Sequence, residues 1–518
     1  MSILSQIQAA MPARISDLPL RWAEQSPDRV ALETDTRTVT WAEMAAAIDR
    51  MATLLKDQGI RPGDRVMVIN ENGIAAAILV FAISRLDAWA SMLNARMSAR
   101  EITTMRDFAG ARRVIYTTGD SPAAAAHATA VGASSHHDPI LGDIAIGPLD
   151  ETCTPEPVFA EGNRQIATLT FTSGTTGHPK AVMLAHHAVM FTGASQCYSR
   201  KITQADRLYV VAPLSHSIGL SSNLLAAAWS GATAILPSRF DPAHLAKALQ
   251  DDKVTFLVAV PQVYGRLLDY ADEHGLSLSN KALRVTGCGG APLDATLKKR
   301  VTGTFGLPFG NGYGATEMVP ITRVPDGVEA EDNIIGEAQP GVEIRIVATD
   351  GTDVPEGQVG ELWARGPSLM AGYYHDDIAT ADVMRDGGWL ATGDLAQRDP
   401  DGNYRIVGRI KEVIIRSGFN VYPTEVEGVL NTHPAIAASA VVGRTVEGNE
   451  EVVAYVQLLP GRDAQISELH GFLRDNLAAY KVPSEIIILQ LPIGPTGKIL
   501  KSALKRDAQA MARGGTLA

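Results

Sequence analysis

The spacing of apolar positions divides the first ~160 residues into alternating helices and strands. Trp41–Gln58 repeats its apolar residues with the helical period. Arg65–Asn70, a short apolar run after the Arg61-Pro-Gly-Asp turn, predicts a strand, and Ile74–Leu86 predicts a helix. Further on, Ala167, Leu169 and Phe171 alternate with Thr168, Thr170 and Thr172, the period-two pattern of a strand, and this run leads directly into Ser173-Gly-Thr-Thr-Gly177. Strands are also predicted at Thr255–Val260, Arg284–Thr286, Glu343–Ala348 and Gly360–Ala364. Two more follow the turn Asp399-Pro-Asp-Gly402, at Tyr404–Val407 and Val413–Arg416. The Ala-, His- and Pro-rich stretch Ala123–Pro157 predicts an irregular surface segment. Its His136-His137-Asp138 cluster has no further ligand at metal-site spacing. Strand–helix alternation of this kind builds α/β layers.

Between Arg207 and Arg239 lie 31 residues without a Lys, Arg, Asp or Glu. Pro213, His216, Gly219, Asn223, Gly231 and Pro237 interrupt them, so the run predicts a loop, a buried helix at Ser221–Ser230 and a buried strand at Ala232–Leu236, not a membrane span. The texture changes near Gly408–Lys411. Beyond it come a helix at Pro423–Asn431, strands at Ala437–Val442 and Val452–Leu459, a helix at Ser467–Ala478 and a strand at Glu485–Leu489. The predicted architecture is a large multi-subdomain α/β domain over residues 1–408 and a small, mobile α+β domain over 409–518.

Of the 518 residues, 46% are hydrophobic and 20% charged, as in an ordinary globular protein. The net charge of −11 argues against a nucleic-acid coat or a basic membrane-surface protein. That charge is uneven: residues 409–518 carry +1 and the rest −12, with +4 in the last 24 residues. Any phosphate-bearing ligand must therefore meet a few placed cations. Cys153, Cys197 and Cys288 are too few and too scattered for a disulfide framework or a zinc ribbon, which fits a reducing, cytoplasmic setting. The first thirteen residues are uncharged and carry no basic segment, so no secretory signal is expected.

The strongest local signal is Phe171-Thr-Ser-Gly-Thr-Thr-Gly-His-Pro-Lys180. Small hydroxyl residues and two glycines after a strand offer N–H and O–H donors to an anion, and Lys180 adds a point charge. The spacing of the glycines is not that of a Walker A loop. The segment resembles the phosphate loop of the adenylate-forming (AMP-binding) superfamily: acyl-CoA synthetases, adenylation domains of peptide synthetases and luciferases. The resemblance runs in order from about Leu20 to Lys505. Gly289-Gly290-Ala291-Pro292 resembles the segment lining the adenine pocket. Gly312-Tyr313-Gly314-Ala-Thr316-Glu317 contains the Tyr-Gly-x-Thr-Glu motif. Trp389-Leu-Ala-Thr-Gly-Asp394, Gly408-Arg-Ile-Lys-Glu412 and Pro495-Thr-Gly-Lys498 resemble the ribose, hinge and catalytic-lysine motifs.

The resemblance implies roles. Thr172, Ser173, Gly174, Thr175, Thr176, Gly177 and Lys180 would cradle phosphates, Tyr313 would stack on adenine and Thr316 would bond the α-phosphate. Glu317, with Thr176, would hold Mg²⁺. Asp394 and Arg409 would bind ribose, Lys411 would be the pivot and Lys498 the mobile catalytic ammonium. Ser417 and Gly418 lie on the face presented after rotation. His216 would gate the acyl pocket, for which Met190, Ser217, Val258, Val319 and the glycines 289, 312 and 314 are the implied lining. Ala181, Glu412 and Ile493 depart from the usual Gly, Asp and Arg without touching a reacting group.

The implied activity is an ATP-dependent, AMP-forming carboxylate–CoA ligase acting through an acyl-adenylate. Its partners would be ATP, Mg²⁺, coenzyme A and a small carboxylic acid, with no nucleic acid and no transmembrane segment; a homodimer stays open. A medium-chain, alicyclic or aromatic monocarboxylate is the favoured acid. A short dicarboxylate is the rival, because Arg266 and Arg284 lie in segments that carry carboxylate-binding arginines in some relatives. Loading of a carrier-protein thiol is the alternative to free CoA.

Overall fold

Helices start where side chains satisfy the first backbone donors. Thr40 and Glu43 exchange capping-box bonds of 3.2 and 2.8 Å to open the helix Trp41–Asp57, and Ser98 with Glu101 does the same for Ala99–Ala109. The computed structural model describes residues 2–172, 180–278, 280–293, 295–325, 328, 334–417, 419–446, 449–494 and 499–512. Ser173, Gly174, Thr175, Thr176, Gly177, Gly418 and Lys498 of the expected site lie outside the described residues.

Two large sheets organise the chain. In the 8-stranded sheet, Ile166–Thr172, Trp89–Asn94, Arg65–Asn70 and Ala111–Tyr116 run parallel side by side. Lys180–Ala185 returns antiparallel against Ile166–Thr172, and the two-residue strand Gly372–Tyr373 closes that edge. The 14-stranded sheet has a parallel part built from Val30–Glu33, Thr233–Ile235, Arg207–Tyr209, Phe256–Ala259, Val285–Gly289 and Phe309–Ala315. From Met318–Arg323 onward its neighbours alternate antiparallel, ending at Gly360–Arg365 and Glu343–Val347.

The helix Ile74–Arg85 lies between these sheets. Every residue from Ile74 to Ser84 is buried, and its core cluster takes Val66 and Val68 from one sheet and Leu208, Val210 and Phe256 from the other. An all-round apolar helix needs such a place. Among the described residues no helix is long and apolar enough to cross a membrane. The small C-terminal domain is α+β: the strands Ile436–Val446, Asn449–Leu458 and Glu485–Ile488 form its sheet, with the helices Pro423–Leu430 and Ile466–Asn476 packed on one face and Lys501–Ala512 on the other.

Two local expectations are corrected. Ala123–Pro157 is not irregular throughout: it holds most of the helix Pro122–Ala130 and the strands Ser134–Asp138 and Gly142–Ile146. Ser121 caps that helix and Pro122 occupies its first turn. The strand Ser134–Asp138 is a polar edge strand, so its sequence shows no apolar alternation. There Asp138 binds Arg50 at 2.8 Å and His137 Nδ1 lies 2.7 Å from Asp143. The helix expected at Ser221–Ser230 begins earlier, as a π-helix over Ile218–Leu224 that passes into the α-helix Leu225–Ser230. Asn223 donates its side-chain N–H back to Ile218 O at 2.9 Å, feeding a carbonyl in the wider turn.

Asp120 packs against the start of the interlayer helix, where its Oδ2 accepts the Ala75 N–H at 3.3 Å. Burial lifts its carboxyl to about 6, with the Ala75 bond and the Arg37 charge only partly opposing. The folded state therefore holds this proton more tightly than the unfolded chain, and ionisation between about pH 4 and 6 costs stability. Asp120→Asn is expected to raise the thermal midpoint at pH 7.5, with the gain gone at pH 4, as measured by thermal unfolding at the two pH values.

Candidate active site

The parallel strands of the 14-stranded sheet end together, and the site residues stand at those ends. Gly289 faces Gly312 across neighbouring strands so closely that a Cβ on it would lie 3.1 Å from the Gly312 carbonyl oxygen. Gly290 then turns the chain at φ 77°, a left-handed conformation that suits glycine, and a Cβ there would meet Ile218 Cδ1 at 3.2 Å. Ala291 and Pro292 follow directly. The result is a stretch of bare, closely packed backbone next to Tyr313.

Tyr313 packs its ring against the main core, and its hydroxyl donates to Asp394 Oδ2 at 2.5 Å. Burial and the charge of Asp394 hold the phenol well above its ordinary pKa, so it stays a donor. Arg409 Nε reaches the other oxygen, Oδ1, at 2.8 Å, and the strands carrying Asp394 and Arg409 are paired at those two residues. Asp394 is only 5% exposed. Burial raises its carboxyl above the usual range while Arg409 and Tyr313 pull it back. A carboxylate has about four lone-pair directions, so these two contacts leave acceptor capacity on both oxygens for a diol. The corner before Asp394 is fixed: Thr392 O–H donates to Leu362 O at 2.7 Å, and Gly393 N–H donates to Glu361 Oε1 at 3.0 Å.

Thr316 and Glu317 form the two-residue connection between Phe309–Ala315 and Met318–Arg323. Glu317 Oε1 accepts the Tyr373 hydroxyl at 2.6 Å, and Lys180 Nζ lies 4.4 Å from the centre of the same tyrosine ring. The segment Met370–Tyr374 fastens the two sheets at this point. Met370 N–H donates to Glu317 O at 2.8 Å, while Ala371 and Tyr374 donate to Met183 O and Ala181 O at 2.9 and 2.8 Å. Thr172 and Lys180 pair across the hairpin that carries the Ser/Thr/Gly loop, which puts the lysine at the loop's base. Glu317 supplies a hard oxygen donor of the kind Mg²⁺ takes, and its second oxygen lies beyond the Tyr373 bond. Among the described residues no cluster of three His, Cys, Asp or Glu side chains has the form of a metal site, so an ion here would draw its remaining ligands from substrate, water and the loop.

His216 follows Pro213-Leu-Ser on a loop held by Asn72. That side chain donates to Val210 O and Ala212 O at 2.8 and 3.0 Å and accepts the Leu214 N–H at 2.8 Å. His216 Nδ1 accepts the Ile218 N–H at 3.2 Å, which orients the ring. Ser217 is buried at the head of the π-helix. Met190 lies buried on the helix His186–Arg200, whose Thr192 hydroxyl donates to Val319 O at 2.5 Å; Val258 joins Met190 in the main core. Lys411 is exposed in the turn Ile410–Glu412. Ser417 sits at φ 53° and donates its N–H to Asn449 Oδ1 at 2.7 Å.

The two arginines considered for a second carboxylate are engaged elsewhere. Arg284 grips Asp206 with two bonds of 2.8 Å and donates to the carbonyls of Arg200 and Lys201. Arg266 lies 4.8 Å over the Phe240 ring. Sequence reasoning missed Tyr373, Asn72 and Glu361. The Gly372-Tyr-Tyr374 doublet was the visible signal for the first; the other two act through long-range contacts that no local pattern announces.

Comparison with known proteins follows the same lines. Residues 20–374 match the family described as AMP-binding enzyme, and residues 425–498 match the AMP-binding enzyme C-terminal domain. Feruloyl-CoA synthase of an Amycolatopsis species is 34% identical over 493 residues, covering 94% of this chain and 98% of that protein. Indoleacetate–CoA ligase of Aromatoleum aromaticum is 30% identical, covering 94% and 96%. ATP-bound MatB from Rhodopseudomonas palustris shares the fold with a TM-score of 0.83 at 27% identity, covering 96% of this chain and 99% of that one. The o-succinylbenzoate CoA synthetase MenE of Bacillus subtilis, solved with its acyl-adenylate intermediate, gives a TM-score of 0.81 at 27% identity, covering 94% and 97%.

Tyr313→Phe keeps the ring and removes one of the two donors on Asp394. A bond to a charged group is worth about 1.5–3 kcal/mol, so AMP affinity measured by titration calorimetry is expected to fall about tenfold or more, with the fold unchanged by circular dichroism.

Proposed function

Because this chain belongs to the AMP-binding enzyme family and is an AMP-forming acid–thiol ligase, we propose that it joins an aromatic, alicyclic or medium-chain monocarboxylate to coenzyme A at the expense of ATP. The joint between Tyr313 and Asp394 carries the nucleotide part of this reading. It brings together two motifs 81 residues apart and aims a polarised carboxylate beside a flat ring, as an adenosine requires. Tyr313 faces the purine, Asp394 and Arg409 take the ribose, Thr316 meets the α-phosphate, and Lys180 with the loop 172–177 holds the phosphate tail. Glu317, positioned by Tyr373, and Thr176 are the residues that would hold Mg²⁺, which when bound would supply positive charge to offset that of the phosphates.

In the first half-reaction a carboxylate oxygen attacks the α-phosphorus and pyrophosphate leaves. Lys498 stabilises the charge that gathers on the phosphoryl oxygens. The small domain, residues 409–518, then turns about Lys411. Lys498 withdraws, and the face bearing Ser417 and Gly418 comes to the acyl-adenylate. The CoA thiolate attacks the acyl carbonyl carbon and AMP leaves. His216 stands between the carboxylate and thiol routes as the gate.

The acid is inferred from the engagement of Arg284. The donors of Arg284 are taken by Asp206, and Arg266 lies over the Phe240 ring, which supports a monocarboxylate over a dicarboxylate. By resemblance, Met190, Val258, Val319 and the glycines at 289, 312 and 314 belong to the acyl pocket, although Met190 is buried in the core and a Cβ on Gly289 or Gly314 would crowd Gly312 O or Val319. The relatives named for ferulate and indoleacetate support the same direction. A reducing compartment such as the cytoplasm suits the three free thiols, two of them buried.

Lys498→Ala is expected to lose about 10²–10³ in acid-dependent ATP–pyrophosphate exchange and still to transfer synthetic acyl-AMP to CoA. Equal loss in both assays refutes the division of labour. A carboxylic-acid panel read by pyrophosphate release is expected to favour aromatic or alicyclic monocarboxylates over malonate and succinate by more than about tenfold. Turnover that needs a carrier protein in place of CoA would overturn the thiol assignment.

A further inference from the structure

Lys501, the first residue of the helix Lys501–Ala512, is half-buried with its ammonium set between two acids. Its Nζ lies 2.7 Å from Glu427 Oε1 and 3.2 Å from Glu412 Oε2. Burial alone would weaken its hold on the proton, but the two glutamates outweigh it and raise its pKa, so the group is an ammonium at neutral pH. Glu427 is itself fixed within the small domain: its Oε1 also accepts the Val441 N–H at 2.6 Å, and its carbonyl accepts the Ser439 hydroxyl. Glu412 is different. It ends the turn Ile410–Glu412 and follows the pivot Lys411 directly.

The chain on the other side of the pivot is held by a separate contact. Thr424, on the small domain, donates its hydroxyl to Val407 O at the end of the large domain. The chain between Val407 and Glu412 consists of Gly408, Arg409, Ile410 and Lys411, and Ile410 and Lys411 are exposed. Lys501 comes three residues after Lys498 in the chain.

We propose that Lys501 is a positioning residue that clamps the hinge carboxylate Glu412 to the small domain, so that rotation is confined to Ile410 and Lys411, beyond the strand pairing of Arg409 with Asp394, and the helix Lys501–Ala512 turns together with Glu412. The inference rests on the roles given above to Lys411 and Lys498. An ammonium held by two carboxylates from different segments defines a position better than a single ion pair does, because moving it costs both contacts. The face used in the second half-reaction does not depend on this clamp. The strand Ile414–Arg416 is tied to the small domain by its own bonds: Ile415 N–H to Glu450 Oε2, and the Arg416 guanidinium to the carbonyls of Tyr480 and Val482.

Glu412→Gln tests the clamp while leaving the Lys501–Glu427 pair, and so the small domain, intact. ATP–pyrophosphate exchange is expected to fall about 5- to 20-fold in kcat, as a misplaced catalytic group does, with KM for ATP and transfer of synthetic acyl-AMP to CoA each within about twofold of the unsubstituted enzyme. The thermal midpoint is expected to move by less than about 2 °C. Lys501→Gln should show the same split between half-reactions, and Lys501→Arg should restore most of the exchange rate. Exchange at the full rate in Glu412→Gln overturns the clamp, as does equal loss in both half-reactions. The underlying reading is judged separately: if Lys498→Ala keeps full exchange, that reading fails, whereas an inactive Lys498→Ala beside a fully active Glu412→Gln removes the clamp alone.

Discussion

The site exists because two sheets with different strand orders are stitched together at one edge. Residues 370–374 donate backbone hydrogen bonds to both, to Glu317 on one side and to Met183 and Ala181 on the other. Tyr373 then spans the seam with its side chain, hydroxyl on Glu317 and ring face under Lys180. A cation and an anion that belong to separate layers are thereby kept within one phosphate's reach without neutralising each other directly. The aromatic ring between them is apolar enough to separate the charges and polar enough at its edge to orient the acid. Loosening this seam would scatter groups that are individually well supported.

The second feature of the site is the placement of polar groups within a buried wall. Asp394 would be costly to hold at 5% exposure without partners, and it has a guanidinium and a phenol, one on each oxygen. The Glu317 carboxylate is supported from one oxygen in the same manner. In both cases a neutral O–H donor fixes the rotamer while leaving negative charge available, which is what a diol or a hard cation needs from a carboxylate. The small domain follows a different economy: its clamp at Lys501 is a half-buried ammonium between two acids, which fixes position through two charge-assisted contacts.

Much of this was legible in the chain. Period-two runs such as Ala167–Thr172 and helical runs such as Trp41–Gln58 lie within a residue or two of their elements, because each buries one side against a uniform layer. The Tyr-Gly-x-Thr-Glu and Thr-Gly-Asp runs and the arginine after Gly408 were legible as candidate site motifs, and the structure brings Tyr313, Asp394 and Arg409 together. The π-helix at Ile218–Leu224 was not legible, because a wider turn changes the hydrogen-bond partner and not the composition. Ser134–Asp138 was missed because an edge strand is defined by its neighbour, here Gly142–Ile146. Arg284 shows a different limit: residue type and position allowed either a ligand or a structural role, and its bonds to Asp206 appear only in the fold.

The interlayer helix Ile74–Arg85 has a consequence for how the chain comes into being on the ribosome. Its apolar circumference is covered by the preceding helix Trp41–Asp57 and by the strands Arg65–Asn70 and Trp89–Asn94, and the core cluster it belongs to is completed by residues such as Phe256, about 170 positions later in synthesis. At typical elongation rates of about 5–20 residues per second, roughly 10–40 s pass before the second layer can arrive. During that interval a helix with a single charged residue, Arg85, waits with one flank uncovered. The nascent protein thus passes through a long-lived, sticky half-sandwich, and its yield in a cell will depend on whatever shields that flank until the second layer docks.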